Sequence, residues 1–142
     1  MSIFSMLEIS GSALGAERQR AEVVASNMAN AETTHTTEGG PYRRKNVVFT
    51  NSGSSFGMTL AAYHGNSPSV RLANVVDDPA PPVLRYEPGH PDANKEGYVA
   101  YPAINPIQEM VDLMGAMRAY QLNATAVSAS KQMIQEALSL LR

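Results

Sequence analysis

The one stretch whose side chains suggest ion chemistry is Asp92-Ala-Asn-Lys-Glu-Gly97, with oxygen-bearing residues at alternate positions and glycine at the sixth. That is how a calcium loop opens. Its twelfth position, where a glutamate must grip the ion with both oxygens, is Ala103, so the stretch reads as an ordinary polar turn. His35, His64 and His90 stand far apart in expected loops and lack the spacing of metal ligands. A shared zinc site would need two of them to converge with an acid, which the sequence leaves open. Arg43-Arg-Lys45 is the only basic run, and no further lysine or arginine follows until Arg71. A phosphate site there would be weak, and a solvated or partner-facing strand edge is the better reading. No G-x-S-x-G, phosphate loop, dinucleotide fingerprint or paired-carboxylate pattern occurs. We expect no catalytic residue, no cofactor and no metal.

What remains is suited to packing. Gly11 and Gly15, one helical turn apart, would let another helix approach closely. Met110, Met114 and Met117 give an adaptable apolar face, read either as core or as a surface that meets neighbours in more than one setting. The 142 residues make about one domain, and 44% hydrophobic content is not that of a disordered chain. Charged residues are 17%, below the usual ~25%, which leaves surface free for burial against partners. A net charge of −2 argues against a dedicated nucleic-acid binder. With no cysteine, a disulfide framework and thiolate metal sites are excluded. No apolar run approaches the ~18 residues of a membrane span. The opening MSIFSMLEIS lacks the leader of a cleavable secretory signal, so the chain is expected to stay in the cytoplasm or to leave by another route.

Three segments must position these residues. In residues 1–34, Ile3, Leu7, Leu14, Ala21, Val24, Met28 and Ala31 recur in steps of three and four, interrupted by Ser10 and Glu17. This predicts a long amphipathic helix with a heptad stripe, failing near Asn30 before the threonines and Gly39-Gly-Pro41. In residues 105–142, Asn105 suits an N-cap, Pro106 the first helical position and Gln108 the third, a capping-box pattern. From there Met110, Leu113, Met117, Tyr120, Ala124, Val127, Ile134, Leu138 and Leu141 keep the same rhythm, broken only by Lys131. Glu109 and Asp112 sit near the positive end of the helix dipole. Residues 35–104 hold all but one of the prolines and read as an irregular β-rich region. Its candidate strands are Lys45–Thr50, Met58–Tyr63, Val70–Val76, Val83–Tyr86 and Gly97–Tyr101. The fold expected is mainly α, two long terminal helices paired as a coiled coil around a short-strand insertion.

At this level the residues resemble a family. Ala25-Ser-Asn-Met-Ala-Asn30, Gly39-Gly-Pro-Tyr-Arg-Arg-Lys45 and Val47-Val-Phe49 look like those of the FlgC family, proximal rod proteins of the bacterial flagellar basal body. So do Tyr86-Glu-Pro-Gly-His-Pro-Asp92, Gly97-Tyr-Val-Ala-Tyr-Pro102, Glu109-Met-Val-Asp112 and Arg118-Ala-Tyr-Gln121. Two departures stand out. Asn51–Asp78 offers little to align, and Met117 and Leu122 replace smaller residues usual in the family.

The resemblance implies a structural subunit of the periplasm-spanning rod, assembling helically to transmit motor torque. Its partners would be further copies, FlgB-, FlgF- and FlgG-type rod proteins, and the component joining rod to membrane ring. Export would use the flagellar type III apparatus, which takes unfolded subunits without a cleaved leader. The assembly contacts are expected on Leu7, Leu14, Val24, Asn27, Met28 and Asn30 of the first helix. On the second they are expected on Met110, Leu113, Met117, Tyr120, Val127, Ile134 and Leu138. Two other classes compete: a soluble helical-hairpin adaptor with no flagellar role, and a small metal-dependent or hydrolytic enzyme built on the histidines or Asp92.

Overall fold

The computed structural model describes residues 3–51 and 69–140; the expected strand Met58–Tyr63 and His64 lie outside them. Helix α1 (Ile3–Ala29) is about 40 Å long and helix α2 (Pro106–Ser139) about 50 Å. Between them run β1 (Lys45–Asn51), β2 (Val70–Asp77), β3 (Val83–Tyr86) and β4 (Tyr98–Tyr101). The chain is therefore mainly helical, with strands confined to the middle.

α1 stops where Asn30 turns back. The Asn30 amide donates to the Ser26 carbonyl at 2.9 Å, and the Asn30 side chain and carbonyl both accept from Thr33. Local side-chain bonds of this kind compete with helix continuation. A tight loop follows, with the Thr36 N–H bonded to the Gly40 carbonyl at 2.9 Å and with Gly39 and Gly40 at φ 90° and 78°, which glycine adopts without cost. α2 begins as expected. Asn105 caps it by accepting from the Ile107 N–H at 3.0 Å, and Pro106 opens the first turn. The cap reaches the second helical residue rather than the third. Among the described residues no bond runs from Gln108 back to the Asn105 N–H, so Asn105 caps the helix without the expected capping box.

The strands form two separate antiparallel pairs. In β1–β2, Lys45 lies opposite Asp77, and the register slips at Val48/Phe49, where Val48 faces Asn74 but Phe49 faces Leu72. The slip leaves Ala73 as the extra residue of a bulge. In β3–β4, Val83 faces Tyr101, and Tyr86 meets Tyr98 edge-on at 5.4 Å. Gly97 closes that hairpin at φ 82°, and a Cβ there would lie 2.8 Å from the Tyr86 ring. A side chain at that position would be strained twice over.

The helices pack antiparallel. Asn27 meets Glu109 at one end, and Met6 meets Ser130 at the other. Among the described residues the buried apolar ones are Ala16, Val24, Val99, Pro102 and Ala116, none larger than valine. Ser10, Asn27, Glu109 and Ser130 are buried with them. A core this thin and polar leaves most of the large apolar side chains elsewhere.

Candidate assembly surfaces and the polar network that sets them

A polar cluster locks the two helices in rotation and register. Asn27 of α1 accepts from the Lys45 N–H at 2.9 Å and donates to the Lys45 carbonyl at 2.9 Å, pairing with β1 as a strand residue would. Its amide also donates to Glu109 at 3.0 Å, and Tyr42 donates to it at 3.2 Å. Glu109, 1% exposed in the first turn of α2, accepts from Arg44 Nε at 2.6 Å. Arg44 also donates to Asn46 at 2.9 Å and lies 3.7 Å from Asp78 and 3.6 Å from Asp112. Partial burial opposes the Arg44 charge, but the Glu109 hydrogen bond and the nearby carboxylates outweigh it, holding the guanidinium charged more firmly than usual. Arg20 of α1 reaches Asp112 at 3.7 Å. Asn27 and Glu109 at its centre are fully partnered, as a polar interior requires, while Glu17 Oε2 beside Arg20, 3.7 Å away, is buried without a hydrogen bond among the described residues.

This cluster decides which face of α2 meets α1. With Glu109 turned inward, the residues one and two heptads on, Ala116 and Asn123, lie on the same face, and Ser130 completes the row. Ala116 and Ser130 are fully buried and Asn123 half-buried. Ser130 returns its hydroxyl to the Ala126 carbonyl at 2.9 Å, satisfying itself within the helix. The most deeply buried positions of the seam are small or hydrogen-bonded residues, flanked by half-buried Leu113, Val127 and Ile134.

The large residues consequently point outward. Ile107, Met110, Val111 and Met114 are 75, 52, 57 and 56% exposed, at the i, i+3, i+4, i+7 spacing of one helix face. That face is opposite the Glu109–Ala116–Ser130 row. Of the expected contact residues, Leu113, Val127 and Ile134 of α2 are half-buried, as are Leu7, Leu14, Met28 and Asn30 of α1; Val24 and Asn27 are buried. Met110, Met117, Tyr120 and Leu138 are exposed. The row that faces α1 lies one residue earlier than Met110 and Met117, at Glu109 and Ala116. Arg44, expected with Arg43 and Lys45 on a solvated or partner-facing strand edge, instead turns inward onto Glu109, which the sequence marked as a dipole partner; Ser130 was passed over. The seven-residue spacing of Glu109, Ala116, Asn123 and Ser130 was the available signal.

The chemical candidates dissolve into turn structure. Asn94 Oδ1 accepts from the Glu96 and Tyr98 N–H groups at 2.9 Å, and Asp92 accepts from Thr34 at 2.7 Å. His90 Nδ1 accepts from the Asp92 N–H at 3.1 Å, and His35 is exposed. Among the described residues no group of three or more His, Asp or Glu could hold a metal ion, and no helix is long and apolar enough to cross a membrane.

Comparisons with known proteins bear on an arrangement of this kind. Residues 7–34 match the family described as "Flagella basal body rod protein", and residues 95–140 match "Flagellar basal body rod FlgEFG protein C-terminal". The chain is 38% identical to the flagellar basal-body rod protein FlgC of Borreliella burgdorferi, covering 100% of this chain and 99% of that one. It is 40% identical to FlgC of Bacillus subtilis, covering 99% of each, and 40% identical to FlgC of Yersinia enterocolitica, covering 99% and 98%. These matches run through residues 51–78 as well, where local motifs offered little to align. They give no support to a helical-hairpin adaptor. The chain belongs to the FlgC family of flagellar basal-body rod proteins and is a structural subunit of that rod.

Proposed function

We propose that this chain forms part of the proximal rod by laying α1 and α2, paired as a coiled coil, side by side with the helices of neighbouring subunits. The observation that carries this reading is the placement of residues on α2. Small and polar side chains face α1, while Ile107, Met110, Val111 and Met114 face solvent. Burying such side chains is worth ~1.5–3 kcal/mol each, so an exposed row of four represents a large unsatisfied driving force. Rows of this size on a monomer mark interaction surfaces.

The expected contact set then divides by role. Leu7, Leu14, Val24, Asn27, Leu113, Val127 and Ile134 hold the helix pair together. Met110, Met117, Tyr120 and Leu138, with Met28 and Asn30 at the end of α1, meet other subunits. Those neighbours are further copies, FlgB-, FlgF- and FlgG-type rod proteins, and the component joining rod to membrane ring. Torque passes through many lateral helix contacts. The thin core accords with a subunit exported unfolded by the flagellar type III apparatus, its helix ends ordering fully on assembly. The FlgC relatives are structural rod proteins, so the enzymatic reading has no support beyond the isolated histidines.

The test is a strain whose only copy carries Met110→Asp and Met114→Asp. Synthesis should be intact, swimming lost, and the chain missing from purified basal bodies. Wild-type swimming would sink the reading.

A further inference from the structure

Resting on the rod-subunit reading, we propose that the outer stripe of α2 docks head-to-tail into a groove on a second copy of this chain. The groove lies between α1 and the β1–β2 sheet, and encloses about 430 Å³. Val23, Leu72 and Val75 supply its apolar wall, with Gln19, Glu22 and Lys45 around it. α1 uses a different face, through Ser10, Val24 and Asn27, to meet α2. The groove is thus an open concave surface on one side of the subunit, and the α2 stripe a convex apolar surface on another.

A convex apolar row and an open apolar groove are complementary in polarity, and one pair of opposite charges, Arg118 and Glu22, stands beside them although Lys45 also lines the groove. An amphipathic helix laid into an apolar groove is anchored by side chains at i, i+3, i+4 and i+7, the spacing of Ile107, Met110, Val111 and Met114. The methionines, unbranched and adaptable, suit an irregular hollow. One turn beyond Met114 on the same face stands Arg118, exposed and without an ion-pair or hydrogen-bond partner among the described residues. At the groove stands Glu22, held by Arg18 at 2.9 Å with 60% of its side chain exposed. Asp112 and Glu109, the acids of that stretch of α2, are turned inward toward Arg20 and Arg44, which leaves Arg118 as the charge on its outer face. Because stripe and groove are different patches, the contact is heterologous: it does not close on itself, and repetition extends it as an open array. A rod is built from contacts of that kind.

The chain has no cysteine, so a disulfide between two copies can involve only the introduced thiols. Basal bodies would be purified from a strain carrying Val23→Cys with Met114→Cys as its only copy, then oxidised. A ladder of dimers and higher multimers is expected, because disulfides form only when Cα atoms come within about 7 Å. Each single variant should stay monomeric. Dimers from Met114→Cys alone would show stripe meeting stripe and overturn the proposal. So would an assembled double variant that does not cross-link. As a second arm, Arg118→Glu and Glu22→Arg should each cut incorporation into basal bodies at least tenfold, with the charge-swapped pair restoring it. Failure of restoration overturns the pairing. Absence of the natural chain from basal bodies would remove the rod reading itself, a result separate from either.

Discussion

Removing Arg44 should cost the fold more than removing Glu109, although the two form one ion pair. In Arg44→Ala the Glu109 carboxylate, 1% exposed in the natural chain, keeps one donor, Asn27 at 3.0 Å. Stranding a buried charge costs about 3–5 kcal/mol. In Glu109→Ala, Arg44 still bonds Asn46 at 2.9 Å, lies within 3.7 Å of Asp78 and Asp112, and has 23% of its side chain exposed. Asn27 still donates to the Lys45 carbonyl. That change removes mainly one charged hydrogen bond, about 2 kcal/mol. Replacing both partners with apolar residues, Arg44→Met with Glu109→Leu, should land closer to the natural chain than Arg44→Ala does. Urea unfolding of the purified chain, followed by helix and tyrosine circular dichroism, gives the comparison. At about 2 kcal/mol per molar urea, Arg44→Ala should lower the midpoint by about 2 M and Glu109→Ala by about 1 M. Equal losses, or a larger loss from Glu109→Ala, would refute the view that Glu109 is the stranded partner.

Other expectations follow from the same geometry. Gly97→Ala should destabilise the chain by about 1–2 kcal/mol, through its positive φ and the contact with Tyr86, read as a lower thermal midpoint. Met114→Asp should leave monomer stability within about 0.5 kcal/mol while abolishing swimming, whereas Leu113→Asp, half-buried, should lower both. Asp78 is held below its ordinary carboxylate value, first by the Ala80 N–H and then by Asn46 and Arg44. A depressed value adds stability above pH about 3.8 that is lost as pH falls further, so Asp78→Asn should flatten the acid limb of unfolding. Tyr101 is raised by its bond to Glu87, so its contribution holds below pH about 10.0 and is lost above. Tyr101→Phe should remove that alkaline loss.

The outline of the fold was legible because its signals are local. Asn105-Pro106 starts α2, Asn30 and the threonines after it end α1, and the strands other than Met58–Tyr63 fall within a residue of expectation. The facing of α2 was not legible, for a physical reason. Periodicity picks out the most apolar stripe and assigns it to the core, which is sound when a chain buries its hydrophobic surface within itself. Here that stripe is split, with Leu113, Val127 and Ile134 half-buried but Met110, Met117, Tyr120 and Leu138 exposed, and the most deeply buried row is Glu109, Ala116 and Ser130 with Asn123 beside them. Glu109 is admitted to the interior only because Arg44, some sixty residues earlier, arrives with β1 to neutralise it. Such a pairing between distant segments leaves no mark on local spacing. Ser10 looked like a flaw in the α1 stripe, yet it is buried where the helices run close.

A density map of the assembled basal body, with this subunit traced at side-chain level, bears most directly on the account. Ile107, Met110, Val111 and Met114 should lie buried against neighbouring subunits, with Glu109 and Arg44 still paired inside. A map in which that face of α2 meets solvent, and subunits touch only through the strand pairs, would contradict it.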